Sequence, residues 1–313
     1  MSHEPKKHHY IPIFYLKQWA TGRDGRLCEY SKPYRDIVKP KRVHPSGTGY
    51  VDRLYELQGL ESELAQRLES EFMAPIDGFA SEIVKGYFLD RNHFSSARQR
   101  TSWSMFIISL IMRNPEEIAL AKNFYVKSWN NPTEERKQSY LQRRGPGMPA
   151  TLVEFLETCD PVAIERSSLE NLAQMIENPV VANHISGMLW GILSFPLGNH
   201  ALLTSDRPVI MSNGLNKPDS HIILPISPSR AFYAVTTEKT QNFLAETRPT
   251  ELIERINRTV TAQAVKYVYS TSDIQLKYIQ KHMGKQKLPA FFERMQQYGP
   301  IYNRTNAKES SNG

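Results

Sequence analysis

Apolar positions change their period twice along this chain of 313 residues. In the opening stretch, "PIFYLKQWA" sets Phe14, Tyr15 and Trp19 at helical spacing, with Pro12 fitting an opening turn. "GRLCEYS" and "GYVDRLYEL" then read as strands of a small N-terminal sheet, and the segment "YSKPYRDIVKPKRVHPSGTG" between them as partly irregular. From Gly59 the period becomes helical. Leu60, Leu64, Leu68, Phe72, Phe79 and Ile83 mark an amphipathic helix, kinked before Pro75. Trp103, Phe106, Ile107, Leu110 and Ile111 follow i, i+3, i+4, i+7, i+8, in a helix that should end at "RNP", because a residue before proline disfavours the helical region.

Further helices are expected at 116–129, 133–143, 149–158 and 167–177, and "VVANHISGMLWGILSF" reads as a buried helix after Pro179. The last third returns to strands: "HALLTSDRPVIM", "HIILPISPSRAFYAV" and "AVKYVYST". Between the last two, the stretch 249–263 is a helix with Leu252, Ile256 and Val260 on one face. Strands, then helices, then strands predict an α+β fold: a small mixed sheet from N- and C-terminal strands with a large helical middle section. The expected organisation is one domain over 1–300, with a helical insertion at about 59–195 and a disordered tail over 301–313.

Composition narrows the class. Hydrophobic residues make up 40% of the chain, as in a globular protein rather than a disordered one. Thirty-nine Lys and Arg against 32 Asp and Glu leave a formal charge of +7, which suits a nucleic acid or another polyanion as partner. Cys28 and Cys159 form no C-x-x-C, which points to a reducing cytoplasm. Apolar stretches such as Trp103–Met112 and Ile185–Leu197 fall short of the roughly 20 residues a membrane span needs, so no membrane is expected.

Phosphate-loop, dinucleotide, nucleophile-elbow and H-E-x-x-H motifs are absent. Three stretches carry candidate chemistry. The first is "KKHHY". Neutral imidazole is a good base or metal ligand near pH 7, and Lys7 beside His8 and His9 would hold an anion. On a strand the two rings point to opposite faces; in a loop both could meet one site. The second is "LLTSDRPV", where an apolar strand runs into Asp206 before a proline. That geometry suits a carboxylate projected into a cleft and equally a carboxylate capping a turn. The third is "GLESELAQRLESEF", in which Glu61 and Glu69 lie about 80° apart on a helix, as metal ligands or as a solvated face. Arg113 either serves a helix C-terminus or binds an anion.

Taken in order, "KKHHYIPIFYLKQW", "ESELAQRLES", "MRNP", Trp190, "LLTSDRPV", "LPISPSR" and "NRTVTAQAVKYVYS" resemble the family known as domain of unknown function 4238, over Lys6 to about Ser270. H-H-Y-x-P-x-F-Y-L and T-S-D-x-P are the most specific blocks. The resemblance implies that His8, His9, Tyr10, Asp206, Arg113 and Asn257 are motif positions and that the fold mixes α and β. It implies no activity. Where the family usually has asparagine, this chain has Arg207, which changes the charge of any contact made there.

The function these features suggest is a hydrolase, a nuclease or phosphodiesterase acting on nucleic acid. His8 or His9 would be the base and Asp206 its partner; Lys7, Tyr10, Arg113, Arg207 and Asn257 would contact substrate. His9, Glu61, Glu69 and Asp206 would hold a divalent metal. The alternative is a non-catalytic binding or interaction module in which the same histidines and Asp206 tie the N-terminal segment to the C-terminal sheet. Acyl transfer ranks third, since Ser205 lacks an elbow motif.

Overall fold

The computed structural model of the chain describes residues 7–54, 68–88, 96–196, 201–212, 214–215, 217–287 and 289–293. The expected tail, Glu61 and the first turns of the helix begun at Gly59 lie outside these residues.

The chain opens with strand β1 (Lys7–His9) and a short helix α1 (Ile13–Leu16), followed by a 3₁₀ turn through Trp19. Strands β2 (Leu27–Tyr34) and β3 (Ile37–Val43) form a hairpin turned by Arg35 and Asp36, both at positive φ, which matches the twist of a two-residue hairpin. The segment expected to be irregular is therefore partly a strand. Pro40 within it is tolerated because β3 lies at the sheet edge, where a missing N–H breaks no ladder. β4 (Tyr50–Asp52) pairs with β1.

The helical middle contains α2 (Ala74–Ile83), flanked by π turns over Leu68–Met73 and Val84–Phe88. It continues with α3 (Ala97–Met112), α4 (Pro115–Asn130), α5 (Glu134–Arg143), α6 (Leu152–Glu157), α7 (Pro161–Ile176) and α8 (Pro179–Gly187). α3 starts at a capping box, Ser96 with Gln99, and stops before Pro115 as expected. Proline stands near the start of α4 and α8, where its missing N–H breaks no helical bond.

The stretch read as one long buried helix after Pro179 divides in two. α8 ends at Gly187, and Leu189–Ser194 forms strand β5. A short apolar run is compatible with either element, and pairing with a distant strand decides it. β6 (Thr204–Ser205), β7 (Ile210–Met211), β8 (His221–Ser227) and β9 (Arg230–Val235) follow. Then come α9 (Glu238–Glu246), α10 (Pro249–Ala262), β10 (Val268–Ser270) and α11 (Leu276–His282).

Two four-stranded sheets result. One has order β3-β2-β10-β6, so N- and C-terminal strands share it; the other has order β5-β9-β8-β7. Every pairing among the described strands is antiparallel. The fold is α+β with a helical middle. The main core joins the opening segment to α3 and the second sheet: Phe14 meets Phe106 at 5.5 Å, and Trp103 meets Phe106 at 5.0 Å and Phe232 at 5.6 Å between ring centres. Buried hydrogen bonds from two aromatic side chains lock that joint. Tyr15 Oη donates to Pro225 O at 2.7 Å and accepts from Thr204 Oγ1 at 2.7 Å, while Trp19 Nε1 donates to Leu202 O at 2.8 Å. Among the described residues no helix is long and apolar enough to cross a membrane.

Candidate functional site

The two histidines lie on a strand, not in a loop. β1 pairs with β4 in the register Lys7↔Asp52, His8↔Val51, His9↔Tyr50, so successive side chains alternate faces. His8 turns inward and is fully buried, Lys7 is exposed, and His9 is half-buried. The His9 ring sits 5.4 Å from the Tyr50 ring, and the Lys7 ammonium lies 4.5 Å over the same tyrosine. Burial holds the His9 pKa below its usual value. Hydrogen bonds to the Ser46 and Lys7 backbone oppose this, and the charges of Lys7 and His8 reinforce it. The His9 ring is therefore held toward its neutral form, and among the described residues its Nε2 is buried without a hydrogen-bond partner.

Two residues on, Ile11 N donates to Gly49 O at 3.1 Å and draws the chain over the sheet. Gly49 has φ +65°, and a Cβ there would lie 3.0 Å from Ile11 Cβ, so glycine is required by conformation and by space.

Asp206 follows β6 directly. Its Oδ1 accepts Val265 N at 3.0 Å; its Oδ2 accepts Lys266 N and, at 3.0 Å, Tyr267 N. The carboxylate thus gathers the turn between α10 and β10, where the backbone needs acceptors. Burial raises its pKa to about 6, with the three N–H donors pulling the other way and the charge of Glu116 adding to the rise. Among the described residues these backbone groups are its hydrogen-bond partners, and His9 is not one of them. Asn257 on α10 plays a comparable part. Its Oδ1 accepts Leu203 N at 2.8 Å and its Nδ2 donates to Ala201 O at 3.0 Å. Its amide is engaged by the strand leading into β6, not turned to a substrate.

Tyr10 is the opening residue that does approach Asp206. It is buried, and its pKa is raised first by that burial and then by Asp206, Tyr267, Glu116 and Glu29. Glu29 on β2 accepts a short hydrogen bond from Thr48 Oγ1, which lies 3.0 Å from Tyr269 Oη. Burial raises the Glu29 pKa, and Thr48, Lys41 and Lys266 oppose the rise. A polar cluster of Tyr10, Glu29, Thr48, Asp206, Tyr267 and Tyr269 therefore lies between the opening segment and the shared sheet. Sequence reasoning missed Glu29 and Thr48. The available signal was a lone acid inside the apolar strand "LCEY".

Arg113 and Glu69 form a different group. Arg113 caps the end of α3, has no exposed surface, and holds both oxygens of Asp77 through Nη1 at 3.0 Å. Its Nε and Nη2 are buried without partners among the described residues. Burial pushes the Glu69 pKa up to about 7, with Arg113 pulling it down and Asp77 pushing it further up. Glu69 Oε2 is also buried, and unpartnered among the described residues. Arg113 is thus an internal ion pair closed to an external phosphate, and Glu69 belongs with it rather than with Asp206. Among the described residues, no group of three or more His, Cys, Asp or Glu is arranged to hold a metal ion.

Arg207 opens onto a cleft of about 280 Å³ between the α3–α4 corner, the run from Arg207 to Ser212, the end of α10 and the segment around Phe291. Its Nη2 lies 3.7 Å from Glu116 Oε2, its Nε is buried without a partner among the described residues, and its carbonyl accepts Gln263 Nε2. Glu117 closes one edge of the cleft by accepting Phe291 N at 2.6 Å and Phe292 N at 2.9 Å.

Comparison with curated proteins gave no match, and neither did comparison with solved structures. The family profile described as "Protein of unknown function (DUF4238)" matches residues 7–273, a span that includes β1, the polar cluster and the turn at Asp206, and the chain belongs to that family.

Proposed function

We propose that the chain is a ligand-binding module in which the histidine and T-S-D-x-P motifs build the scaffold and the cleft beside Arg207 receives the ligand. The observation that carries this reading is Asp206. A carboxylate that orients a catalytic histidine or shares a metal must direct a lone pair at it, and three of the roughly four acceptor positions of Asp206 are directed at backbone N–H groups. The cleft has the mixed character of a binding site, with apolar side chains such as Leu110, Ile111 and Met211 beside polar ones such as Asn114, Thr259 and Gln263. Free thiols at Cys28 and Cys159 suit a reducing cytoplasm as its location.

One arrangement favours a hydrolase acting on nucleic acid as the second reading: burial holds His9 toward its neutral form, its Nε2 has no partner among the described residues, and exposed Lys7 lies beside it.

The two readings separate in a single assay. Wild type, His9→Ala and Asp206→Ala are incubated with labelled RNA, single-stranded DNA and duplex DNA, with Mg²⁺, Mn²⁺ or chelator, and each is melted. The binding reading expects no cleavage by any form and a lower melting temperature for Asp206→Ala. Cleavage by wild type that is lost in both variants at unchanged melting temperature would overturn it.

A further inference from the structure

We propose that the cleft beside Arg207 takes a small amphipathic anion, with a carboxylate or phosphate head on the guanidinium and an apolar body along Leu110, Ile111, Val209, Met211 and Phe291. This rests on the reading of the cleft as the binding site and adds the class of ligand.

Three observations select the sign of the head group. First, Arg207 has donors to spare. Its contact with Glu116 is 3.7 Å, beyond hydrogen-bonding distance, and a guanidinium carries five N–H groups in a fork that matches a carboxylate or phosphate. Second, the acid on the cleft wall is already engaged. Glu117 accepts two backbone N–H groups from Phe291 and Phe292, so its charge is answered within the protein. Third, α4 begins at the same wall without a side-chain cap. Asn114 turns its amide back to Leu110 O and Ile111 O, at 3.1 and 3.2 Å, instead of accepting from the first turn. The uncapped N-terminus of α4 adds to Arg207 only in part, because its first turn carries Glu116 and Glu117.

Size and lining select the body. About 280 Å³ is at the lower edge of the range for small-molecule sites, roughly 300–1,000 Å³, and the apolar side chains Leu110, Ile111, Val209, Met211 and Phe291 share the walls with polar ones that include Thr259, Gln263 and Gln286. A bare inorganic ion would leave those walls wet, and a polynucleotide would not enter.

The test uses the full chain with methyl-labelled Ile, Leu, Val and Met. It is titrated with octanoate, octyl phosphate, octanol and octylamine, and methyl shifts at Leu110, Ile111, Val209 and Met211 report binding in place. The expected result is that the two anions bind at least about tenfold more tightly than the alcohol and the amine. Arg207→Gln should erase that preference, Arg207→Lys should keep part of it, and Glu116→Gln, which removes the competing carboxylate, should tighten octanoate several-fold. Equal binding of all four probes, unchanged by Arg207→Gln or Glu116→Gln, would overturn the anionic class and leave the cleft as a binding site. Absence of cleft methyl shifts with every probe would overturn both.

Discussion

Substituting Asp77 should be among the most damaging single changes on the helical side of the molecule. Arg113 has no exposed surface, and its guanidinium gives Asp77 two hydrogen bonds from Nη1 at 3.0 Å. Asp77→Ala leaves a buried cation with no bonded partner among the described residues, which costs about 3–5 kcal/mol, out of a total stability on the order of 5–15 kcal/mol. Glu69 modifies the outcome with pH. Its pKa of about 7 reflects burial first, with Asp77 pushing it up. Removing Asp77 lowers that pKa, so Glu69 ionises earlier and replaces part of the lost partner. The variant then holds fewer protons than wild type between the unfolded pKa, near 4.5, and 7, and its penalty shrinks as pH rises through that window. Adding Arg113→Met should recover most of the loss, because it removes the buried charge itself. Urea unfolding of wild type, both single variants and the double variant, at pH 6 and pH 8, measures all of this. A penalty under about 1 kcal/mol for Asp77→Ala, or a double variant no more stable than Asp77→Ala, would refute the reasoning.

Other perturbations have equally definite outcomes. Tyr15→Phe removes two buried hydrogen bonds and strands Pro225 O, so a loss of about 1–3 kcal/mol is expected in denaturant unfolding; an unchanged midpoint would mean the hydroxyl is dispensable. Gly191 on β5 seats the Tyr233 ring opposite it on β9, and a Cβ there would overlap the ring. Gly191→Ala should therefore cost about 1–3 kcal/mol, and restoration by Tyr233→Leu in the same chain checks the cause. His9 has a lowered pKa, so the unfolded chain binds more protons than the folded one in the window below 6.5, and its stabilising share is lost as pH falls through the folded pKa. His9→Asn should accordingly flatten the acid side of a melting-temperature profile, and a profile parallel to wild type would contradict the shift.

Regular periodicity was the legible part of the fold. α3 and α10 lie within a few residues of the helices read from their apolar stripes, because each packs one face and the stripe is that face. β5 was not legible. "LWGILS" carries no polar residue before its last, so no alternation shows, and what makes it a strand is β9, some forty residues further on. β3 was hidden by Pro40, whose tolerance depends on being at an edge, a property of the sheet and not of the segment. The candidate site divides the same way. That Asp206 is special could be read from its place before a proline, but its partners are backbone N–H groups of Val265, Lys266 and Tyr267, and a backbone donor has no signature in side-chain identity. Arg113 likewise carries a motif position, while its counter-charge, Asp77, lies on another helix at no fixed spacing. Arg207 became informative only once β6, α4 and α10 brought it to a cleft.

The strand order of the shared sheet also bears on how the chain is made. β2 pairs with β10 in the register Glu29↔Tyr269, and Tyr15 and Trp19 bond partners 189, 210 and 183 residues ahead. A ribosome adds about 5–20 residues per second, so the aromatic opening segment and the open edge of β2 emerge on the order of ten seconds to a minute before their partners exist. During that interval the β2–β3 hairpin presents an unpaired edge next to exposed aromatic surface, the combination that invites pairing with another nascent chain. Translation that halts before β10 leaves this edge open permanently, so products stopped short of Val268 are the forms that holding chaperones must keep apart.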